Sequence, residues 1–206
     1  MIPALLGRRR PAFALRSERL LLRPPQIEDF EPWALLRRES EAFLAPWEPA
    51  RTPDHLSLKA FRERVRWAAR CIADGRATPL FLLRQSDGAL LGAATLDNIR
   101  RGPAMCASLG YWIGAPHARQ GYMTEAVGAL RDHAFGPLGL SRIEAACLPE
   151  NAASRAVLER CGFKYEGVAQ SYLQIAGRWR THVLYAALRA DRRGRVGEAG
   201  EGAAFG

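Results

Sequence analysis

Lysine is almost missing from this 206-residue chain: of its 30 basic residues only Lys59 and Lys164 are lysines, and the rest are arginines. Cysteine is sparse as well. Cys71, Cys106, Cys147 and Cys161 stand far apart, with no CxxC and no histidine at ligand spacing, which argues against a metal site or a disulfide framework and for buried thiols. Apolar runs are short and broken by arginine, so none is long enough to span a bilayer. The opening MIPALLGRRRPAF puts its charges after a small apolar patch rather than before a long one, unlike a secretory signal. These absences predict a cytoplasmic protein with no membrane partner. There is no internal repeat.

A chain that is 48% hydrophobic can bury the core of one domain. Its net charge of +9 makes polyanions natural neighbours, whether nucleic acid, ribosome or a phosphorylated cofactor. Residues 1–14 read as a basic arm and residues 191–206, rich in Gly, Ala and charge, as a flexible tail. The folded domain is expected over 15–190. Within it RLLLRPP reads as a strand, Ile27 to Ser40 as a helix, and FLAPWEPARTPDH as a turn-rich link. Leu58, Phe61, Val65, Ala68, Ala69 and Ile72 recur at helical spacing up to Gly75. TPLFLLRQ, LLGAATLDNI and MCASLGYWIG form a strand meander turned at SDGA and RRGP. A helix from Met123 to about Phe135, the strand RIEAACLP, the helix NAASRAVLERCG and a hairpin turned at Ala176-Gly177 complete the domain.

In GYWIGAPHARQGYMTEAVGAL, Gly110 to Leu130, a strand runs through a short Gly- and Pro-bearing loop straight into a helix. Such a junction points unpaired amides outward with the positive end of the helix dipole behind them, which is an anion site. Gly121 lets backbone approach a ligand closely, Arg119 and Gln120 add donors, and Thr124 and Glu125 fall in the first turn. A capped helix after a loop is the other reading. The loop matches neither a Walker sequence nor GxGxxG. A second strand-to-helix opening, PENAASRAVLERCGF, follows about thirty residues later, with Asn151 at the N-cap position and Ser154 in the first turn.

Together YWIG, RQGYMTEA, RIEAACLPENAASRAVLERCGF and the following EG resemble the GNAT superfamily of N-acetyltransferases. FLAPWEPAR, DNIRRG and SYLQIAGRWRTHVLYAAL resemble its ribosomal-protein-alanine, RimJ-like branch, over roughly residues 15 to 190. The resemblance implies an α/β (α+β) fold whose mixed, mostly antiparallel sheet splays between two parallel strands and is flanked by helices. It implies acetyl-coenzyme A as co-substrate and no metal. Tyr111, Trp112 and Ile113 would pair with the pantetheine arm; Arg119, Gln120, Gly121, Tyr122, Met123 and Thr124 would wrap the pyrophosphate. Asn151 would hydrogen-bond the pantetheine, and Ser154 would sit near the thioester sulfur. Two positions depart from the family pattern: Ala118 replaces a Gln or Arg, and Glu159 replaces a Tyr proton donor.

Acetyl transfer needs a neutral amine, an oxyanion site and a leaving thiolate. A peptide α-amine, with a pKa of about 7.7 to 8.0, is roughly a tenth or more neutral at pH 7, whereas a lysine near 10.4 is almost wholly charged. A weak or water-relayed base then suffices. Glu48, held between Pro46 and Pro49, is the candidate base, with a surface salt bridge as the equal alternative. Ser154 is the candidate donor to the thiol, and a backbone amide near Trp112 the candidate oxyanion donor. Trp47 either walls the acceptor groove or belongs to the core; Trp179 and Tyr185 read as packing, and His117 as a solvated turn residue. The leading reading is acetylation of a protein N-terminus, that of a ribosomal protein, with contact to ribosome or RNA through the basic surface. The alternatives are a small amine acceptor and a ribosome-assembly or RNA-binding factor with a vestigial site.

Overall fold

A computed structural model describes residues 13–190. The expected arm and tail fall outside the described residues, apart from Phe13 and Ala14. Eight strands form one sheet in the order β1-β2-β3-β4-β5-β6-β8-β7. They are β1 (Leu15–Arg16), β2 (Leu20–Arg23), β3 (Thr78–Arg84), β4 (Leu90–Arg100), β5 (Cys106–Ile113), β6 (Arg142–Cys147), β7 (Lys164–Ile175) and β8 (Arg178–Leu188). Short turns make β3, β4 and β5 an antiparallel meander. Helix α4 (Tyr122–Phe135) carries the chain back over the sheet, so β6 joins β5 in parallel; every other neighbouring pair is antiparallel. This is the mixed, splayed and mostly antiparallel sheet that the resemblance implied.

Helices cover both faces because the central strands are apolar on both. In β3, Leu80 and Leu82 point into a core with Met123, Ala126, Val127 and Leu130 of α4, while Phe81 and Leu83 point into a second core with Trp33, Leu36 and Phe61. The second core is closed by α1 (Phe30–Glu39) and α3 (Leu58–Ala73). Ser57 starts α3 by accepting a hydrogen bond from the Ala60 amide, and Gly75 follows it at φ 66°.

The link expected as turns is partly helical: α2 (Glu41–Leu44) runs directly into a 3-10 turn at Ala45–Trp47. Pro46 suits the start of that turn, where a missing N–H costs nothing, and Leu44 is buried beneath it. The expected helix from Ile27 likewise divides into a 3-10 turn, Ile27–Asp29, and α1. Asp29 explains the break, because its carboxylate takes the Gln26 amide and both terminal nitrogens of Arg23. Among the described residues no helix is long and apolar enough to cross a membrane.

Candidate active site

The parallel pairing of β5 with β6 extends only from Cys106 opposite Arg142 to Leu109 opposite Ala145. Beyond Leu109 the strands part, and Gly110 to Ile113 keep β4 as their one strand neighbour. The amide of Gly114 donates to the Leu91 carbonyl at 2.8 Å, so by antiparallel alternation Trp112 turns its own amide toward Ala93 on β4. The amides of Tyr111 and Ile113 therefore face the gap. An oxyanion donor near Trp112 would then be one of these two neighbouring amides rather than that of Trp112 itself.

Past the gap the chain turns through Arg119 at φ 61° and Gly121 at φ 80° into α4. Gly121 occupies the N-cap without a side-chain cap, and the amides of Gly121, Tyr122, Met123 and Thr124 donate to no protein group among the described residues. The capped-helix alternative thus loses its cap. Four free amides at the positive end of a 14-residue helix suit an anion. Sequence reasoning missed the clamp that shapes this loop. Arg19 donates to the Gln120 carbonyl, pairs with Glu125 at 2.8 Å and lies 4.5 Å from the Tyr122 ring centre. Glu125 also accepts from Ser17 and from the Arg19 amide, contacts too distant along the chain to leave a local signal.

Asn151 caps α5 (Ala152–Arg160), accepting the Ser154 amide at 3.0 Å; this engages Oδ1 and leaves its side-chain NH2 free to donate. The Ser154 hydroxyl lies 2.8 Å from Tyr111 Oη, which also donates to the Ser154 carbonyl oxygen at 3.2 Å. Burial raises the Tyr111 pKa well above its ordinary value. The phenol therefore stays protonated and can share its one hydrogen between the Ser154 carbonyl and hydroxyl oxygens, which leaves the serine's own hydrogen free to donate elsewhere. Glu159, which departs from the family's Tyr, instead accepts from the buried Tyr185 hydroxyl at 2.8 Å. Arg155 donates to the same Tyr185 oxygen, and Trp179 is exposed.

Glu48 lies on the other side of the sheet. Both its carboxylate oxygens are engaged, by Arg37 at 2.8 and 2.5 Å and by Arg51 at 3.0 Å. Burial raises its pKa, but hydrogen bonds and charge from Arg37 and then Arg51 outweigh this and hold it below its ordinary value. A carboxylate so held is a weak proton acceptor; of the two readings, the salt bridge describes its surroundings. Arg37 also lies 4.7 Å from the Trp112 ring centre, tying this wall to β5.

Glu48, Arg51, Trp47, Arg64 and Trp67 wall a cavity of about 370 Å³ whose floor includes Ala93, Thr95, Asp97, Gly110 and Trp112. A second cavity of about 700 Å³ adjoins it, sharing Trp67 and Asp97 and reaching Arg76, Glu144 and Tyr172. The two make one trough along β4 on the α1/α3 face, whereas Ser154 and α4 belong to the opposite face. Tyr111 lines the trough and touches Ser154, so the gap between β5 and β6 joins the two sides. A cleft with a free strand edge, a helix-borne anion site and an opening to a trough can hold a phosphorylated acyl carrier against an acceptor.

Residues 19–164 match the family model described as an acetyltransferase (GNAT) domain. The chain belongs to that family. It is 32% identical over 177 residues to the probable N-acetyltransferase YjcK of Bacillus subtilis, covering 86% of this chain and 98% of that one. It is 33% identical over 183 residues to the ribosomal protein uS5-alanine N-acetyltransferase of Escherichia coli, covering 88% and 93%. Among solved structures it resembles Mycobacterium smegmatis RimJ in complex with CoA-disulfide, at a TM-score of 0.79 and 32% identity over 86% of each chain. This GNAT chain is an acetyl-CoA-dependent N-acetyltransferase, similar in sequence and structure to RimJ enzymes. Its free amides and parted strands fit the co-substrate.

Proposed function

We propose that this GNAT chain acetylates the N-terminal α-amine of a protein, a ribosomal one with an alanine start being the class that its relatives' names support. The observation carrying this reading is the trough. Its floor follows β4 from Ala93 to Ile99, roughly 20 Å at about 3.3 Å per residue, which suits an extended peptide better than a compact amine. The net charge of +9 favours encounter with ribosomes in the cytoplasm.

In this reading the amides of Tyr111 and Ile113 pair with the pantetheine arm, with Trp112 between them facing β4. The loop from Arg119 and Gln120 through Gly121, Tyr122, Met123 and Thr124 cradles the pyrophosphate, and the Asn151 NH2 donates across the cleft. The thioester supplies an activated acetyl group. Ser154, steadied by Tyr111, donates to the departing sulfur. The acceptor amine, already partly neutral, gives up its proton to water, and Glu48 positions the trough wall through Arg37 rather than taking that proton. Holding amine and thioester together supplies most of the rate.

The test mixes the protein with acetyl-CoA and a short Ala-initiated peptide, following thiol release and peptide mass. A gain of one acetyl group on the α-amine, with an α-blocked lysine peptide left unmodified, is expected. Turnover of polyamines or aminoglycosides but of no peptide would move the assignment to small amines. Salt-sensitive RNA binding without any thiol release would favour an assembly factor.

A further inference from the structure

The trough carries more positive charge at one end than its own carboxylates balance. Arg37, Arg51 and Arg64 gather round the single carboxylate of Glu48, which bonds Arg37 and Arg51 but not Arg64. Arg64 makes no ion pair among the described residues, and its Nε is buried with no hydrogen-bond partner. Its guanidinium lies 5.2 Å from the Trp33 ring centre. Asp97, the other acid lining this cavity, sits four residues along β4 from Ala93, roughly 13 Å from the Trp112 end over which Arg37 lies.

The buried Nε is out of reach of the trough, but Arg64 as a whole is only part-buried and lines the trough wall, so a bound molecule can reach the terminal nitrogens of its guanidinium. The residue also feels repulsion from Arg51 and Arg37 and a smaller attraction from Glu48. An ammonium side chain would add to that repulsion, and a neutral one would leave the charge unmet. A carboxylate would pair with the accessible end of the guanidinium and balance its charge, and guanidinium groups suit carboxylates geometrically.

We propose that the Arg64 end of the trough is a carboxylate-binding subsite, which takes an acidic side chain of the acceptor within the first three residues from the acetylated amine. This rests on the peptide-acceptor reading above and narrows it to acceptors with an acidic start. The Asp97 end lies further along the path of the chain, and Tyr111 marks the gap where the reacting amine meets the thioester.

The experiment uses synthetic pentapeptides with Asp, Asn or Lys placed in turn at positions one, two and three of an otherwise Ala-rich sequence, with wild-type protein, Arg64→Met and Arg64→Lys. At one of the positions the wild type should prefer Asp over Asn by about tenfold to a hundredfold in kcat/KM, chiefly through KM. Arg64→Met should bring that ratio close to one, Arg64→Lys should restore part of it, and KM for acetyl-CoA should not move. Equal use of Asp and Asn at all three positions overturns the subsite, as does a preference that survives in Arg64→Met. Calorimetric binding of the same peptides to the CoA-loaded protein separates the two claims. Retained acid preference without turnover sinks peptide acetylation alone; equal affinities for acid and amide sink the subsite.

Discussion

Tyr111 Oη lies 2.8 Å from Ser154 Oγ, so β5 and the helix after β6 meet through side chains just where the strands have parted. The contact places a hydroxyl at the mouth of the gap and holds it there. Ser154→Ala should lower kcat roughly tenfold while leaving the acetyl-CoA KM within about twofold, because a thiolate leaves tolerably without help. Tyr111→Phe combined with Ser154→Ala should cost little more than Ser154→Ala alone, since both act on one contact. Steady-state kinetics on the three variants checks this, and an unchanged kcat in Ser154→Ala would remove the hydroxyl from the chemistry.

Asn151 has two separable duties. Asn151→Ala should lose about 1 kcal/mol of stability with the cap and also weaken coenzyme A binding. Asn151→Asp keeps the accepting oxygen but not the donating nitrogen, so it should melt near the wild type yet still bind coenzyme A less tightly. Thermal melts beside calorimetry resolve the pair. Wild-type affinity in Asn151→Asp would mean that the side chain only caps.

Gly92 marks the close approach of β4 to β5. A Cβ there would stand 2.3 Å from the Trp112 carbonyl oxygen, well inside contact distance. Gly92→Ala should therefore force the strands apart, at a cost of roughly 3 kcal/mol or more, and weaken coenzyme A binding because Trp112 lies between the two gap-facing amides. Chemical denaturation measures the first effect and calorimetry the second.

The Glu48 cluster predicts an acid limb. Its carboxylate pKa is lowered in the folded state, so the pairing stabilises the protein fully above the ordinary value near 4.5 and is lost as pH falls through the lower folded value. Glu48→Gln should flatten the stability profile below about pH 4.5 relative to the wild type. Arg37→Ala should do more harm at pH 7, roughly 3 to 5 kcal/mol, because it strips the main partner from a side chain that is 14% exposed. Melting curves from pH 3 to pH 8 provide the check. If Glu48 were instead the proton acceptor, Glu48→Gln would abolish turnover at pH 7 rather than shift acid stability.

Much of the fold was legible because it rests on local chemistry. Helical spacing marked α3, short apolar runs between turn signals marked the meander, and a Gly, found at φ 80°, marked the turn into α4. Asn151 was legible as a cap for the same reason: its bond to the Ser154 amide spans three residues. Glu48 was visible as a candidate but not in its role, since Arg37 is eleven residues away on helix α1 and nothing in PWEP announces it.

Composition, periodicity and a few turn residues thus carried the elements, their order and the two helix openings, because each depends on φ, ψ and neighbours within a few positions. Tertiary structure alone decided where β5 leaves β6, which amides the departure frees, that Arg19 clamps Glu125, and that Arg64 is left without a carboxylate. Those features depend on groups brought together from far along the chain. Charge balance and strand register are settled only once such groups share a common, partly water-excluded space.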